Sequence, residues 1–508
     1  MEISTLHNIA LNILEWITLL LVLGVATLLV MVIYFYIVDS RQQTHTIRRN
    51  YPVIGRFRYL FEHLGEFFRQ YFFAMDREEL PFNRAERSWV YRAAKEVDST
   101  IAFGSTRPMD QEGDINFLNS AFPVLEDEAL PVKTIIVGEH HCPQPYHANS
   151  VLNISAMSYG AISAPAVQAL SRGARMAGIW MNTGEGGLSP HHLQEGCDIV
   201  FQIGTAKYGV RDNNGGLDDA KLLAIAAHAQ VRMFEIKLSQ GAKPGKGGIL
   251  PGAKVTEEIA HIRNIPAGMD SLSPNAHPEF KNVGDILDMV ERVRTVTGKP
   301  TGLKFVVGQT DFLHTLFQEI HRRGVPSAPD FLTIDSADGG TGAAPQALMD
   351  FMGLPIRESL PLVVDLLHEY GLRERIKVIA SGKLISPDKV AWALCVGADF
   401  CASARGFMLA LGCIQALQCN KNTCPTGITT HNKELQKGLV SSEKAKRVSA
   451  YAKHVAAGVN MIAHSCGVLE PRSLGREHVT IILRKDSSRI MRELDPIPAT
   501  RSEYIQRY

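Results

Sequence analysis

A closed parallel (β/α)8 barrel is the fold class this sequence predicts, and three observations predict it. First, eight short β-rich runs follow one another between residues 151 and 406: "VLNISAM", "GIWMNTG", "IVFQIG", "MFEIKLS", "TGLKFVVG", "FLTIDSADGG", "KVIASGK" and "DFCASARG". Second, successive runs are separated by stretches that can hold a helix, such as "PAVQALSRGARMAG" and "SPDKVAWALCVGA". Eight alternating strand–helix units suit a barrel closed on itself. Third, the runs are nearly continuous in apolar residues, as strands buried on both faces must be. An open doubly wound sheet is the rival. It is disfavoured because no G-x-G-x-x-G opens a helix after the first run. The α/β chain is therefore expected to carry a TIM barrel over residues 131–470.

The bulk composition narrows the function classes. The 508 residues hold 53 basic and 52 acidic side chains, so no global field draws nucleic acid to the chain. Eight cysteines in a chain this long do not form a disulfide scaffold. Reduced thiols fit better.

Taken in order, the elements begin with an apolar segment. "ITLLLVLGVATLLVMVIYFYIV", Ile17 to Val38, carries no charge. About 20 apolar helical residues cross a bilayer core. Arg41, Arg48, Arg49, Arg56 and Arg58 follow it, whereas Glu2 and Glu15 precede it. Basic flanks mark the cytoplasmic side. Residues 1–40 are expected to form a single-pass anchor in the cell membrane, with the body of the chain in the cytoplasm. A cleaved signal peptide has a shorter apolar core and a small-residue cleavage site, which "YFYIVDSRQ" does not provide. Residues 41–130 read as a juxtamembrane helical region. In it, "YLFEHLGEFFRQYFF" places Leu60, Phe61, Leu64, Phe67, Phe68, Tyr71 and Phe72 at helical spacing. That face either docks on the main domain or lies at the bilayer surface. Glu62, Glu66 and the shortage of lysines favour docking. Residues 471–508 read as a C-terminal extension, with "HVTIILR" as an extra strand.

Function in such a barrel gathers at the C-terminal ends of the strands. Those ends are rich in glycine and charge here. "GEGG" (Gly184–Gly187) follows the second strand, "KLSQGAKPGKGGILPG" (Lys237–Gly252) the fourth and "DSADGGTGAAP" (Asp335–Pro345) the sixth. "SGK" and "SARG" end the seventh and eighth. Loops after strands seven and eight often build a phosphate site with a helix N-terminus. Gly382, Lys383, Ala404 and Arg405 are the candidates. Ordinary turn glycines are the plain alternative. Lys237, Lys243, Lys246 and Arg263 gather cations around one mouth, which points to an acidic substrate such as a dicarboxylate.

Cys413, Cys419 and Cys424 are spaced C-x5-C-x4-C. This is not the paired C-x2-C spacing of structural zinc, which would also need a fourth ligand such as His431. Three thiolates suit an iron–sulfur cluster. Buried thiols without a metal remain the other reading.

"GEGG", "QGAKPGKGGILPGAKV", "DSADGGTGAAP" and "GCIQALQCNKNTCPTGITT" together resemble the FMN-binding synthase domain of glutamate synthase, over about residues 135–470. The N-terminal span resembles that of membrane-anchored stand-alone members. The resemblance implies FMN in the barrel mouth and a 3Fe-4S cluster on Cys413, Cys419 and Cys424. It implies an oxidoreductase that reduces 2-iminoglutarate, formed from 2-oxoglutarate and ammonia, to L-glutamate. Glu185 and Lys237 would lie near flavin and substrate, and Lys243 and Arg263 in the 2-oxoglutarate site. Ala156, Met157 and Ser158 would lie beneath the flavin, and Gln202, ending the third strand, would also bind the cofactor. Asp338, Gly339, Gly340, Gly382, Lys383, Ala404 and Arg405 would line the cofactor's phosphate side.

Departures from the family pattern are specific. Lys246 and Ile249 stand where the family loop has a glutamate and a glutamine. No glutaminase domain and no nicotinamide fingerprint is evident. Electrons are therefore expected from a separate donor, such as ferredoxin or another reductase subunit, and ammonia from solution or another chain. Two alternatives stay open: the same flavin scaffold on another 2-oxo or amino acid, and a membrane redox subunit without synthase activity. A flavin 2-hydroxy-acid oxidase would need a histidine base at the mouth, where His277 is the only nearby candidate. The oligomeric state is open, and a homo-oligomer is compatible with everything above.

Overall fold

In the computed structural model, residues 2–504 are described except 99, 140 and 341, and the side chains of residues 2–6, 66, 67, 69 and 70 are not described. The chain forms two compact units, Met1–Arg84 and Ala85–Tyr508.

The first unit opens with one helix, Glu2–Arg41, which contains the apolar run. The stretch His7–Arg41 is long and apolar enough to cross a membrane. At its foot Asp39 is fully buried. Its carboxylate accepts from Arg56 Nε (2.7 Å), Arg56 Nη2 (2.8 Å), Arg48 Nε (3.2 Å) and the Val53 amide (3.1 Å). The Arg56 guanidinium also lies 3.9 Å from the Phe35 ring centre. One carboxylate thus ties the end of the long helix to the segment that follows. After a short helix, Thr46–Asn50, the helix Gly55–Phe68 continues into a π-helical turn, Arg69–Phe73. Leu60, Phe61, Phe68, Tyr71 and Phe72 are exposed on it. Phe67 lies outside the described side chains.

The second unit is built on a closed barrel of eight parallel strands. These are β1 (Leu152–Ile154), β2 (Met181–Asn182), β3 (Ile199–Ile203), β4 (Val231–Lys237), β5 (Thr301–Val306), β6 (Phe331–Asp335), β7 (Lys377–Ser381) and β8 (Phe400–Ser403). Each falls inside one of the eight runs read from the sequence, save that β4 starts two residues early, at Val231. The ladder closes where Cys401, Ala402 and Ser403 pair with Leu152, Asn153 and Ile154. Short hairpin strands Ile135–Val137 and Tyr146–Ala148 contribute Val137, Tyr146 and Ala148 to one apolar cluster with Trp180, Met233, Phe331 and Phe400. Trp180 meets Phe400 edge-on at 4.9 Å. Large aromatics near the strand starts therefore seal the N-terminal end, and chemistry is left to the other end.

Residues 85–130, grouped with the juxtamembrane region in the sequence, belong to the barrel unit. Ile115–Phe117 pairs antiparallel with Val479–Arg484, the strand expected from "HVTIILR", and that strand pairs with Ser487–Ile490. A three-residue strand whose partner is more than 360 residues away leaves little trace in local pattern.

Asp330, fully buried just before β6, ties the bottom of the barrel together. It accepts from the Thr301 amide (2.9 Å) and Arg294 Nε (3.1 Å), and pairs with Arg375 Nη2 (3.0 Å). Removing one member of a buried ion group leaves its partners uncompensated, at about 3–5 kcal/mol. Asp330→Ala should therefore lower the urea midpoint of the full chain in detergent by that equivalent, without a change in the slope of the transition.

Candidate active site

The C-terminal strand ends bring the sequence-predicted residues to one mouth. Lys237, the last residue of β4, donates from Nζ to Glu185 Oε2 (3.0 Å) and Gln240 Oε1 (3.2 Å). Glu185 sits in the loop after β2, where Gly184 has φ +65°. A Cβ on Gly184 would fall 2.6 Å from the Ser158 amide nitrogen, so the β2 loop presses directly on the end of β1. Burial alone would raise the Glu185 carboxyl. Lys237 beside it, with Lys243 and Arg263 beyond, brings it below its ordinary value. Lys243 is buried, and burial pulls its ammonium below the usual lysine value, against the attraction of Glu185 and with repulsion from Lys237 and Lys246.

Arg263 is buried as well. It donates to the Tyr159 carbonyl (3.2 Å) and the Ser271 hydroxyl (3.2 Å), and its guanidinium lies 5.1 Å from the Tyr208 ring centre. Glu185, Lys237, Lys243 and Lys246 line one cleft of about 20 Å³ with Thr205, Asn275 and the Gly245–Gly248 backbone. Ile249 does not line this cleft. Its backbone pairs with Leu272 and its side chain is exposed.

His277 is buried, with Nε2 3.0 Å from the Lys237 carbonyl. Burial lowers it to about 4, so it is neutral at pH 7 and holds the backbone that presents Lys237. Gln202 does not point its amide at the mouth. It donates to Glu235 Oε1 (2.6 Å) inside the barrel, where Asn182 (2.8 Å) and Thr333 (2.6 Å) also donate to Glu235. This buried carboxylate and its three donors were not apparent from the sequence, because they converge from four different strands.

On the opposite side, Gly382 has φ +149°, and a Cβ there would fall 2.1 Å from the Ser336 Cβ. Only glycine lets β7 end so close to the β6 loop. Lys383 pairs with Asp338 Oδ2 at 2.8 Å, and Arg405 Nη2 donates to the Asp338 carbonyl at 2.9 Å. Asp338 is thus the neighbour that orders the two cations. Burial would raise its carboxyl, but Lys383 and the Ser336 hydroxyl hold it low. Gly339 and Gly340 continue this loop, and the Gly340 carbonyl accepts from Gln240 (3.2 Å). Ala404 caps the helix Arg405–Leu411 after β8.

Ala156, Met157 and Ser158 leave β1 toward a loop that gathers the remaining parts. Its Tyr159 carbonyl takes Arg263, its Gly160 carbonyl takes His431 Nε2 (2.8 Å), and its Ala161 carbonyl takes Lys254 Nζ (2.8 Å). The Ser163 hydroxyl donates to the Gly427 carbonyl (2.7 Å). The cysteine loop is thereby sutured to the end of β1. His431 is held through Nε2 by the Gly160 carbonyl. Burial pushes the Cys413 thiol up to about 12 and raises Cys419. Cys424 falls below its ordinary value despite burial, because hydroxyls of Thr426 and Thr429 and nearby amides face its sulfur. Cys413 Sγ accepts from the Gln415 amide (3.4 Å), and Thr426 Oγ1 lies 3.3 Å from Cys424 Sγ. The buried Thr429 hydroxyl has no hydrogen-bond partner among the described residues. Among those residues no three His, Cys, Asp or Glu side chains converge to hold a single ion.

The Glu185–Lys237 pair makes a pH prediction. Ordinary glutamate titrates near 4.3. A folded value below that contributes stability at higher pH, and this is lost as pH falls through the folded value. Glu185→Gln should therefore destabilise the full chain more at pH 7 than at pH 3.5. In a Lys237→Met background its cost at pH 7 should shrink by about 1–3 kcal/mol, read from urea unfolding as a double-mutant cycle.

Three comparisons with known proteins complete the description. A family model described as the conserved region in glutamate synthase matches residues 96–469. The glutamate synthase large subunit-like protein YerD of Bacillus subtilis is 41% identical over 505 residues, covering 92% of this chain and 95% of that one. An archaeal-type glutamate synthase (NADPH) of Thermotoga maritima is 32% identical over 352 residues, covering 69% of this chain. The match takes in only 64% of that relative's own length. Among solved structures, the flavin-binding domain of baker's yeast flavocytochrome b2 aligns at 14% identity and a TM-score of 0.45, over 83% of this chain and 85% of that one.

Proposed function

The chain belongs to the glutamate synthase family, and on that premise we propose that it is a membrane-anchored oxidoreductase of glutamate synthase type. It would bind FMN and a 3Fe-4S cluster and form L-glutamate from 2-oxoglutarate and ammonia by way of 2-iminoglutarate. One observation carries the proposal: the half-buried Lys237–Glu185 pair stands with buried Lys243 at a single barrel mouth, inside the matched region. A cationic mouth of this kind suits a dicarboxylate.

The residues present fit both groups. On the flavin side, Gly382 lets the β7 end pack against Ser336 and Gly340 lets the β6 loop pack against Arg405, which brings the cations Lys383 and Arg405 to one place beside Asp338. Those residues would hold the phosphate, with Ala156, Met157 and Ser158 below the ring. On the cluster side, the orphaned Thr429 hydroxyl, Thr426 and the Gln415 amide face the cysteine sulfurs. Donors of that kind stabilise thiolate ligands. When bound, FMN supplies hydride transfer and the cluster supplies single electrons.

The protein's own share is positioning and charge. Lys237 presents a cation that His277 fixes from behind through the backbone. Glu185 keeps Lys237 oriented and stays ionised at neutral pH. Lys243 and Arg263 would take the substrate carboxylates, and closure of the Lys237–Gly252 loop would exclude water. The electron donor would be a separate protein, since no nicotinamide fingerprint is apparent in the chain. The long N-terminal helix would place the site at the cytoplasmic face of the cell membrane.

The test is anaerobic. The full chain, purified in detergent, should release FMN on acid treatment and show the signal of an oxidised three-iron cluster. After chemical reduction, 2-oxoglutarate with ammonium should reoxidise the flavin and yield L-glutamate. Reoxidation by another 2-oxo acid but not by 2-oxoglutarate would overturn the substrate and leave the scaffold. Absence of flavin from a folded preparation would overturn the whole reading. Lys246 makes a second expectation. Its cation lines the cleft, so Lys246→Glu should raise the 2-oxoglutarate KM about two- to fivefold with kcat nearly unchanged, and should blunt its salt dependence.

A further inference from the structure

We propose that Lys254 is the fixed counter-cation of the Cys413–Cys419–Cys424 site and holds the reduction potential of the cluster up. The proposal rests on the iron–sulfur reading above. It concerns a residue that neither the strand-end rule nor the cysteine spacing singles out.

Lys254 ends the short 3-10 turn Gly252–Lys254, at the far end of the loop that carries Lys243 and Lys246. It is 2% exposed. Its Nζ donates to the Ala161 carbonyl at 2.8 Å and, more weakly, to the Cys419 carbonyl at 3.4 Å. An ammonium has three donors, so one is left without a described partner. Most other buried lysines here are satisfied, and buried Lys243 lines the cleft at the mouth. Lys207 has Glu279, Lys304 has Asp335, and Lys299 has three carbonyls. No carboxylate among the described residues pairs with Lys254.

Lys254 has only two carbonyls, one of them at 3.4 Å, so a neighbouring negative group would offset the cost of its buried charge. The acidic groups near enough to act on Lys254 are the Cys419 and Cys424 thiols. Three thiolates on an iron–sulfur core make that side of the loop negative, and Lys254 faces it. One-electron reduction of the cluster, by a donor protein or a chemical reductant, adds a further negative charge and moves no other atom. A cation beside the cluster favours the reduced state. At the effective dielectric of protein sites, one unit charge at this range changes the reduced-to-oxidised ratio at fixed potential by about tenfold or more. Tenfold corresponds to about 59 mV for one electron.

The test is a redox titration of the three-iron signal in the full chain, comparing wild type, Lys254→Met and Lys254→Arg, with iron content and bound flavin measured on each. The Met variant should keep its flavin and show a lower potential by about 59 mV or more. The Arg variant should stay near wild type. Full iron with an unchanged potential in the Met variant would overturn the proposal. If the Met variant loses iron, recovery of iron in the Arg variant supports a need for charge, and loss in both assigns Lys254 a role in shape and overturns it. Wild-type protein that binds flavin but no iron would instead sink the iron–sulfur reading, and this proposal with it.

Discussion

The pairing of β8 with β1 is the constraint on which the rest of the site depends. Cys401 to Ser403 lie in register with Leu152 to Ile154, so the last strand of the barrel ends level with the first. The Ser155 amide donates to the Ser403 carbonyl (3.1 Å), and the Ser155 and Ser381 hydroxyls meet at 3.3 Å. Everything that leaves β8 must therefore pass the loop that leaves β1. The helix Arg405–Leu411 leads straight into the cysteine loop, which is pinned by His431 on Gly160 and Ser163 on Gly427. The β4 loop comes back to the same few carbonyls through Arg263 and Lys254. Three parts of the sequence share one stretch of backbone because a closed ladder gives them no other place to end.

Charge at the mouth is arranged by the same economy of space. A buried cation needs an anion or a set of carbonyls, and the two sides of the barrel meet this need differently. Lys237 is paired with Glu185, and Lys383 with Asp338. Gln240 bridges them by accepting from Lys237 and donating to the Gly340 carbonyl. Gly241 comes so close to the Ser336 carbonyl that a Cβ would fall 1.8 Å from it. The β4 and β6 loops are thus mechanically joined. A movement that admits a substrate beside Lys243 must be felt on the side where Asp338 orders Lys383 and Arg405.

Much of this was legible in the sequence, and the reason is local. All eight strands fall almost wholly within the apolar runs, because a strand buried on both faces needs continuous apolar residues whatever its partners are. Lys237, Lys243 and Arg263 stood out as cations gathered after the fourth strand, whereas Glu185 came from the family resemblance. What escaped notice is non-local. Glu235 looks like one polar residue in "MFEIK" until Asn182, Gln202 and Thr333 converge on it. Lys254 looks like an ordinary lysine until its burial without a carboxylate is seen. Residues 85–130 carry a strand only because Val479–Arg484 completes it. Asp338 and Gln202, expected at the cofactor, act first on Lys383 and Glu235, a distinction that side-chain direction makes and motif position does not.

The two departures from the family loop carry unequal weight for the same reason. Ile249 replaces a polar residue, yet its backbone is held by Leu272 and its side chain faces outward. The loss of a hydrogen bond there is a loss at the rim, where water replaces the missing partner at little cost. Lys246 lines the cleft itself and adds a small repulsion to the burial that depresses Lys243. Where a glutamate would offset Lys243, a second ammonium repels it, and the mouth carries excess positive charge. Such a site is relieved by a dianion more than by a monoanion. Lys246 is therefore the departure that bears on the charge the site prefers, and preference among acidic substrates would be set through it.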